Sequence, residues 1–334
     1  MKKKTAAVSI LLVLGIFAAL ITGCGKSNID KTGRLTPRAG VKTIRFGYIA
    51  SDQLHSPAVM VMKEKKLLEA AGFTVEWVEY IAGSFAMLDM AEGALDFACC
   101  GVVPVMSAQA KDKKAAIIAG ANQEGASLVV TDSIRSISDL NNKKIATPGV
   151  GSIQDALLRK LAADNGIQIR NTTMKVVDMP QFLQKGEIDG FIAWAPHPAA
   201  AVEQKLGHEL LAASQILPGY QCCVLTTTLK AMSDDPATVQ KVLEIYVDAY
   251  RWFADNKSES IQMIAKATGV SEAVVREAIQ TVNYPELPYC NVESMYSMAL
   301  SLIENDGITT VKEADLDAFI QDLYKPELLE AITG

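Results

Sequence analysis

The chain has 334 residues, 49% hydrophobic and 21% charged, with 38 acidic against 32 basic side chains for a formal charge of −6. Such a composition supplies one large or two medium hydrophobic cores and excludes disordered and fibrous chains. A net negative chain without a basic stripe excludes nucleic acid as a partner. After residue 23 no apolar run approaches the roughly 20 residues that a membrane-spanning helix requires.

The first residues read as an export signal. Lys2 to Lys4 give a positive start, residues 6–21 are uncharged and apolar, and Leu20-Ile21-Thr22-Gly23 runs into small residues directly before Cys24. Loss of residues 1–23 removes those lysines and leaves a charge of about −9. The segment resembles the lipobox of bacterial lipoproteins, which implies cleavage before Cys24 and lipidation of that residue. Two or more acyl chains make such an attachment stable. The plainer reading is an ordinary signal peptide beside a coincidental cysteine. Residues 24–42, rich in Gly, Ser, Thr and Pro, read as a tether.

The body is written twice. The first copy opens on a strand-like run, Thr43 to Ile49. Ser56 as cap and Pro57 in the first turn predict a helix over Ser56–Ala71, stopped by Gly72. A strand, Phe73 to Tyr80, leads through Gly83-Ser84 into a short helix ending near Gly93, and Leu95 to Ala98 is the next strand. The second copy runs from the strand Lys143–Ala146 through Pro148-Gly149-Val150-Gly151 to Ser152 and Asp155, a capping-box-like helix start, with a stop at Asn165-Gly166. The strand Thr172–Asp178, a helix over Pro180–Lys185 and the run Gly186 to Ile192 follow. Glu92-Gly93-Ala94-Leu95-Asp96-Phe97 and Gly186-Glu187-Ile188-Asp189-Gly190-Phe191 fall at the same place in each copy. Strands alternating with helices of this length predict two α/β lobes, each a mostly parallel sheet flanked by helices. From about Asp235 the chain is helical, with Val239, Val242, Leu243, Tyr246, Val247 and Tyr250 at helical spacing, and is expected to pack on the first lobe.

Taken in order, these segments resemble the extracytoplasmic substrate-binding proteins of nitrate, sulfonate and taurine type ABC importers. The residues carrying the resemblance are Gly47-Tyr48 with Ser56-Pro57-Ala58, Gly93 to Ala98 with Gly101 and Pro104, and Ala126 to Val130. Ile137 to Ala146, Gly151-Ser152, and Gly186 to Phe191 before Trp194-Ala195-Pro196 complete it. The resemblance implies a two-lobed, type II periplasmic-binding-protein-like fold whose lobes are joined by crossover strands, near Ala121–Gly125 and Leu225–Leu229. Lobe I is then 43–122 and 229–334, and lobe II 123–228. It also implies a monomer anchored outside the cytoplasm on the bacterial envelope membrane, a small-molecule solute, a membrane ABC permease as partner, no enzymatic activity and no cofactor.

Five loops are expected at the cleft: Ile49–Ser56, Ile81–Phe85, Cys99–Pro104, Thr147–Ile153 and Trp194–Pro198. None contains Lys or Arg. Several run into helix starts, whose unsatisfied amides bind anions without a basic side chain. A small oxyanion or sulfonate fits that chemistry. By resemblance Ser84, Gly101 and Ser152 are hydrogen-bond donors and Trp194 an apolar wall; Ser51 and Gly151 belong to the same loops. The plainer reading makes the serines and glycines caps and turn residues, and Trp194 a packing residue.

His55 and His197 also fall in cleft loops, with Asp52. Surface imidazoles, ligand contacts and metal ligands are the three readings, and two His with one Asp on separate loops assign no metal. Ala195 stands where many members carry an acid, which disfavours an amine-bearing or pyrimidine solute; a pyrimidine or neutral solute is the alternative cargo. Cys99, Cys100, Cys222, Cys223 and Cys290 read as small buried hydrophobes. Cys100, beside Gly101, is the one expected to line the cleft. A nucleophilic pair of Cys100 with His55 or His197 lacks an orienting third group, and Cys222-Cys223-Val224 is too short to match the cysteine run of a pyrimidine-biosynthesis relative.

Overall fold

The computed structural model describes residues 42–112 and 114–334. The signal segment 1–23, Cys24 and the tether through residue 41 lie outside them. Among the described residues no helix is long and apolar enough to cross a membrane.

The first half runs β1 (Thr43–Ile49), α1 (Pro57–Glu64), α2 (Leu67–Ala70), β2 (Thr74–Tyr80), α3 (Gly83–Ala91), β3 (Phe97–Gly101), α4 (Val102–Asp112) and β4 (Ala115–Glu124). The second runs β5 (Ala126–Val130), β6 (Lys144–Thr147), α5 (Ile153–Asn165), β7 (Arg170–Thr173), α6 (Met179–Gln184), β8 (Gly190–Trp194), α7 (His197–Glu203) and β9 (His208–Ala212). The chain returns through β10 (Gln221–Thr228), followed by α8 (Leu229–Asp234), α9 (Pro236–Asp255), α10 (Lys257–Thr268), α11 (Glu272–Ala278), β11 (Val282–Asn283), α12 (Val292–Glu304), α13 (Leu316–Leu323) and α14 (Pro326–Thr333).

The strand orders are β11-β4-β10-β3-β1-β2 and β7-β6-β8-β5-β9. In each sheet the repeated unit is a parallel trio: β1 pairs with β2 and β3, and β6 pairs with β7 and β8. An antiparallel strand then flanks each trio, β10 beside β3 and β5 beside β8. The shared hexapeptide has a structural cause. Gly93 and Gly186 follow α3 and α6 at φ of +74° and +70°, conformations that glycine adopts without a Cβ clash. Asp96 and Asp189 then clamp the first strand of their trio. The backbone N–H of Asp96 donates to Arg45 O while Asp96 Oδ2 accepts from Arg45 N–H at 2.9 Å, and Asp189 makes the same exchange with Lys144, at 2.8 Å to Oδ2.

Local sequence sets most element ends. Ser152 Oγ accepts from Asp155 N–H and Gly166 closes α5 in the left-handed region, as the capping pattern predicts. The helix expected over Ser56–Ala71 is broken instead, because Lys66 turns left-handed at φ +52° and lets Leu68 reach the core. Ser56 is also no cap: its hydroxyl donates to Asp52 O at 2.8 Å. The return crossing lies between Ala212 and Gln221, ahead of the expected Leu225–Leu229, since β10 pairs along its length with β3 and β4 of the first sheet.

The core lies on both faces of each sheet. Phe46 and Phe97 stack in the first at 6.0 Å, and Phe191 and Leu128 are wholly buried in the second. The long helix α9 covers the first sheet, with Val242, Leu243, Tyr246 and Val247 inaccessible. The Tyr246 hydroxyl donates to Gly120 O at 2.8 Å, so its burial leaves no polar group unpaired. The two crossings are tied to each other: Glu124 N–H donates to Tyr220 O and Ala126 N–H to the Tyr220 hydroxyl, each at 3.0 Å.

Candidate functional site

The strand ends of both trios face one cleft, and ligands of open α/β sheets bind at such edges. On the first-sheet side the wall is Ile49, Asp52 and His55 after β1, Ala82-Gly83 at the start of α3, and Gly101 with Pro104 at the start of α4. On the second-sheet side it is Pro148, Ser152 to Gln154 at the start of α5, and Trp194 at the end of β8. Three helices of 9, 11 and 13 residues therefore begin on this cavity. Their first-turn amides have no intrahelical acceptor and carry the positive end of the helix dipole. No Lys or Arg is among the lining residues.

The walls touch across the cleft. Ser51, left-handed at φ +56°, directs its carbonyl at the second half, where it accepts from Trp194 Nε1 at 3.2 Å and from His197 Nε2 at 3.3 Å. A Cβ on Gly101 would stand 3.1 Å from Ile153 Cδ1. The free volume left between the walls is about 30 Å³, room for little more than a water-sized group.

The floor is acidic and sulfurous. Cys222 and Cys223 line it from the start of β10. Adjacent strand residues normally face opposite ways, but register shifts on both sides of Cys223 irregularly pair β10 with β4. Such irregularities re-aim side chains, and here both thiols reach the same cavity. The Cys222 Sγ lies 3.4 Å from His55 Nδ1, and the Cys223 thiol donates to Asp52 Oδ2 at 3.7 Å. Beyond the imidazole, His55 Nε2 donates to Gly125 O at 3.1 Å. Gly125 has φ +91°, and a Cβ there would fall 2.5 Å from His55 Nε2, so only glycine lets the crossing approach this closely.

Burial opposes every charge in this cluster, yet the charges hold one another. For His55 burial lowers the proton affinity, but the Cys222 thiolate and the Asp52 carboxylate outweigh it and raise it. For Cys222 burial raises the pKa, and its contacts with the Cys223 thiol, shared between Cys222 and Asp52, and with the neighbouring imidazolium outweigh that and lower it. The two partners thus shift in the directions of a thiolate–imidazolium pair. Asp52 is raised, chiefly by burial, and Cys223 well raised by its hydrogen bond to Cys222 and by burial. His197 behaves oppositely: burial takes it down to about 4, and the Ser51 carbonyl only partly resists.

Of the residues singled out in the sequence, Asp52, His55, Gly101, Ser152 and Trp194 meet at this cavity. Ser51 stands just behind it as the acceptor for Trp194 and His197. His55 and His197 are 1% and 6% exposed, so neither is the surface imidazole that the plainest reading expected. Ser84 is half-buried one residue beyond the lining Gly83. Cys100 does not line the cavity: its thiol faces the start of α3, where a Cβ on Gly83 would meet its Sγ at 3.3 Å. Burial raises it to about 12, which makes it an inert packing residue. Gln154, Cys222 and Cys223 are the lining residues that sequence reasoning missed. All five described cysteines are free.

Gly151 opens instead onto a larger cavity of about 210 Å³ on the far side of α5, with Arg159, Asp155 and the end of α12. Its one guanidinium is paired to Asp155 at 3.0 Å. The carbonyl end of α12 and Asp306 beside it disfavour anions there. Small anions are therefore better served by the smaller cavity between the sheets.

Relatives share this architecture. The chain is 24% identical over 241 residues to the taurine-binding periplasmic protein of Escherichia coli K12, covering 68% of this chain and 74% of that one. The crystal structure of the periplasmic aliphatic sulphonate binding protein SsuA from Escherichia coli superposes with a TM-score of 0.69 at 21% identity, over 87% of this chain and 93% of SsuA. The periplasmic nitrate-binding protein NrtA from Synechocystis PCC 6803 gives 0.70 at 15% identity, over 88% and 89%. These likenesses establish the periplasmic binding protein fold. The family model described as NMT1-like matches residues 38–269, more than half of the chain, and the protein belongs to the NMT1-like family.

Proposed function

We propose that this protein is the solute-binding component of an ABC importer, capturing a small oxyanion or sulfonate between its two α/β lobes without chemically altering it. The observation that carries the reading is the convergence of the α3, α4 and α5 starts on one cavity lined by no Lys or Arg. The relatives named for taurine, aliphatic sulphonate and nitrate support the same solute class. With about 30 Å³ between the walls, a solute of several heavy atoms enters as the lobes part and is then enclosed. The lobes are the first sheet with the C-terminal helices and the second sheet with its own helices. The monomer presents its closed face to the permease, and lipid on Cys24 holds it outside the cytoplasm, on the envelope membrane.

Thermal shift tests the solute class directly. A bound anion stabilises the folded chain by RT ln(1 + [L]/Kd), about 4 kcal/mol at a thousandfold excess over Kd. An alkanesulfonate or nitrate is expected to raise Tm, and pyrimidines are not. Turnover of a bound compound, or a panel in which only neutral compounds raise Tm, overturns the reading. For the anchor, palmitate labelling is expected in the wild type and lost in Cys24→Ala; label retained by the variant refutes it.

A further inference from the structure

We propose that the cleft floor is a binding site for one tetrahedral transition-metal ion of the Zn²⁺ class, held by His55 Nδ1, Cys222 Sγ and Cys223 Sγ, with the Asp52 carboxyl turning to supply the fourth ligand. The imidazole and the two thiols already stand close to the separations such an ion imposes. Metal–sulfur bonds of about 2.3 Å and metal–nitrogen or metal–oxygen bonds of about 2.0–2.1 Å at tetrahedral angles place S and S about 3.8 Å apart, N and S about 3.6 Å, S and O about 3.5 Å, and N and O about 3.3 Å. The two thiols are 3.9 Å apart and Cys222 Sγ lies 3.4 Å from His55 Nδ1; Asp52 presents one oxygen to each side, Oδ2 at 3.7 Å from Cys223 Sγ and Oδ1 at 3.5 Å from His55 Nδ1, so a turn of the carboxyl brings one of them to the ion. The donors of His55, Cys222 and Cys223 all fall within 4.8 Å of one another.

The surroundings are those of a ligand set. A carbonyl only accepts, so the contact of His55 Nε2 with Gly125 O keeps one proton on Nε2 and points Nδ1 at the sulfurs, where a metal ion would displace the second proton of the imidazolium. Metal-binding imidazoles are oriented by this kind of outer partner. Asp52 is 4% exposed and its Oδ1 accepts no hydrogen bond, an orphaned oxygen aimed at the cluster. Unpartnered buried carboxylate oxygens are costly, and a cation would satisfy this one. Two thiols with an imidazole select soft and borderline ions over Ca²⁺ or Mg²⁺. All four side chains line the cavity, so an ion reaches them through the cleft. Binding releases the His55 Nδ1 proton and the Cys223 thiol proton as the metal–nitrogen and metal–sulfur bonds form. The site goes beyond the anion-carrier reading and is separable from it.

Titration of the reduced, full-length protein with Co²⁺ and then Zn²⁺ tests the site. One Co²⁺ per chain is expected, with a thiolate-to-metal charge-transfer band that Zn²⁺ abolishes stoichiometrically. Cys222→Ser and Cys223→Ser are each expected to weaken Zn²⁺ binding at least a hundredfold, and Cys290→Ser to leave it unchanged; circular dichroism of each variant verifies its fold. Absence of the thiolate band, or undiminished Zn²⁺ affinity in a folded Cys222→Ser/Cys223→Ser double variant, overturns the proposal. Sulfonate binding that persists in a protein shown to bind no metal overturns it as well, while leaving the carrier reading intact.

Discussion

Asp96 and Asp189 occupy one position in two copies of a fold unit and make the same backbone exchange, whereas the loops after β1 and β6 share a position and little else. The first loop, Ala50–Ser56, brings a buried carboxyl and imidazole to the cleft; the second, Pro148–Ser152, brings proline, glycines and a capping serine. What recurs in both copies holds the sheets, and what differs sets the chemistry between them. The contrast extends to the histidines. His55 of the first half gains proton affinity from anionic neighbours, and His197 of the second loses it to burial, with the Ser51 carbonyl opposing the loss and the His55 charge adding to it.

The largest expected effect sharpens that histidine contrast. His197 is about 4 in the folded chain against 6.5 unfolded. Between those values the unfolded state binds a proton that the folded state refuses, so stability is full above pH 6.5 and falls as pH drops towards 4. The loss reaches roughly 3 kcal/mol at 1.36 kcal/mol per pKa unit. Urea denaturation of the wild type and His197→Gln across that range is expected to show a steeper fall in the wild type; parallel curves would mean that His197 is protonated when folded.

A smaller effect separates the two clamps. Asp96 adds to the shared backbone exchange a two-pronged ion pair with Arg45, at 3.0 Å from Nε and 2.7 Å from Nη2, where Asp189 bonds only backbone at Lys144. Both aspartates are part-exposed or exposed, so solvent screening limits the difference. Asp96→Ala is expected to cost about 2 kcal/mol and Asp189→Ala about 1 kcal/mol in urea melts. Equal losses would mean the guanidinium adds nothing to the clamp.

Much of the skeleton is legible in the sequence because its signals are local. Ser152, Asp155 and Gly166 bound α5 where the capping chemistry places them, and the hexapeptide repeat marks two equivalent turns. The expected crossing near Leu225–Leu229 puts β10 in the second lobe because a buried apolar strand looks alike in any sheet; its partners, Phe97–Gly101 and Ala115–Gln123, lie about a hundred residues away. The same limit hid the thiols. Strand alternation turns one of Cys222 and Cys223 away from the cleft, and only the irregular pairing with β4 brings both in. Ser56 misled for a related reason: helix-start residues are read from type, but Asp52 O is within its reach and takes the hydroxyl.

Amide chemical-shift mapping of the protein with ethanesulfonate tests most directly whether helix starts between the lobes hold the solute. The largest shifts are expected at Gly83, Ser84, Gly101, Val102, Ser152 and Ile153, the residues that open α3, α4 and α5. Shifts centred on Arg159, Ser301, Asn305 and Gly307 around the larger cavity, with the three helix starts unmoved, would contradict it.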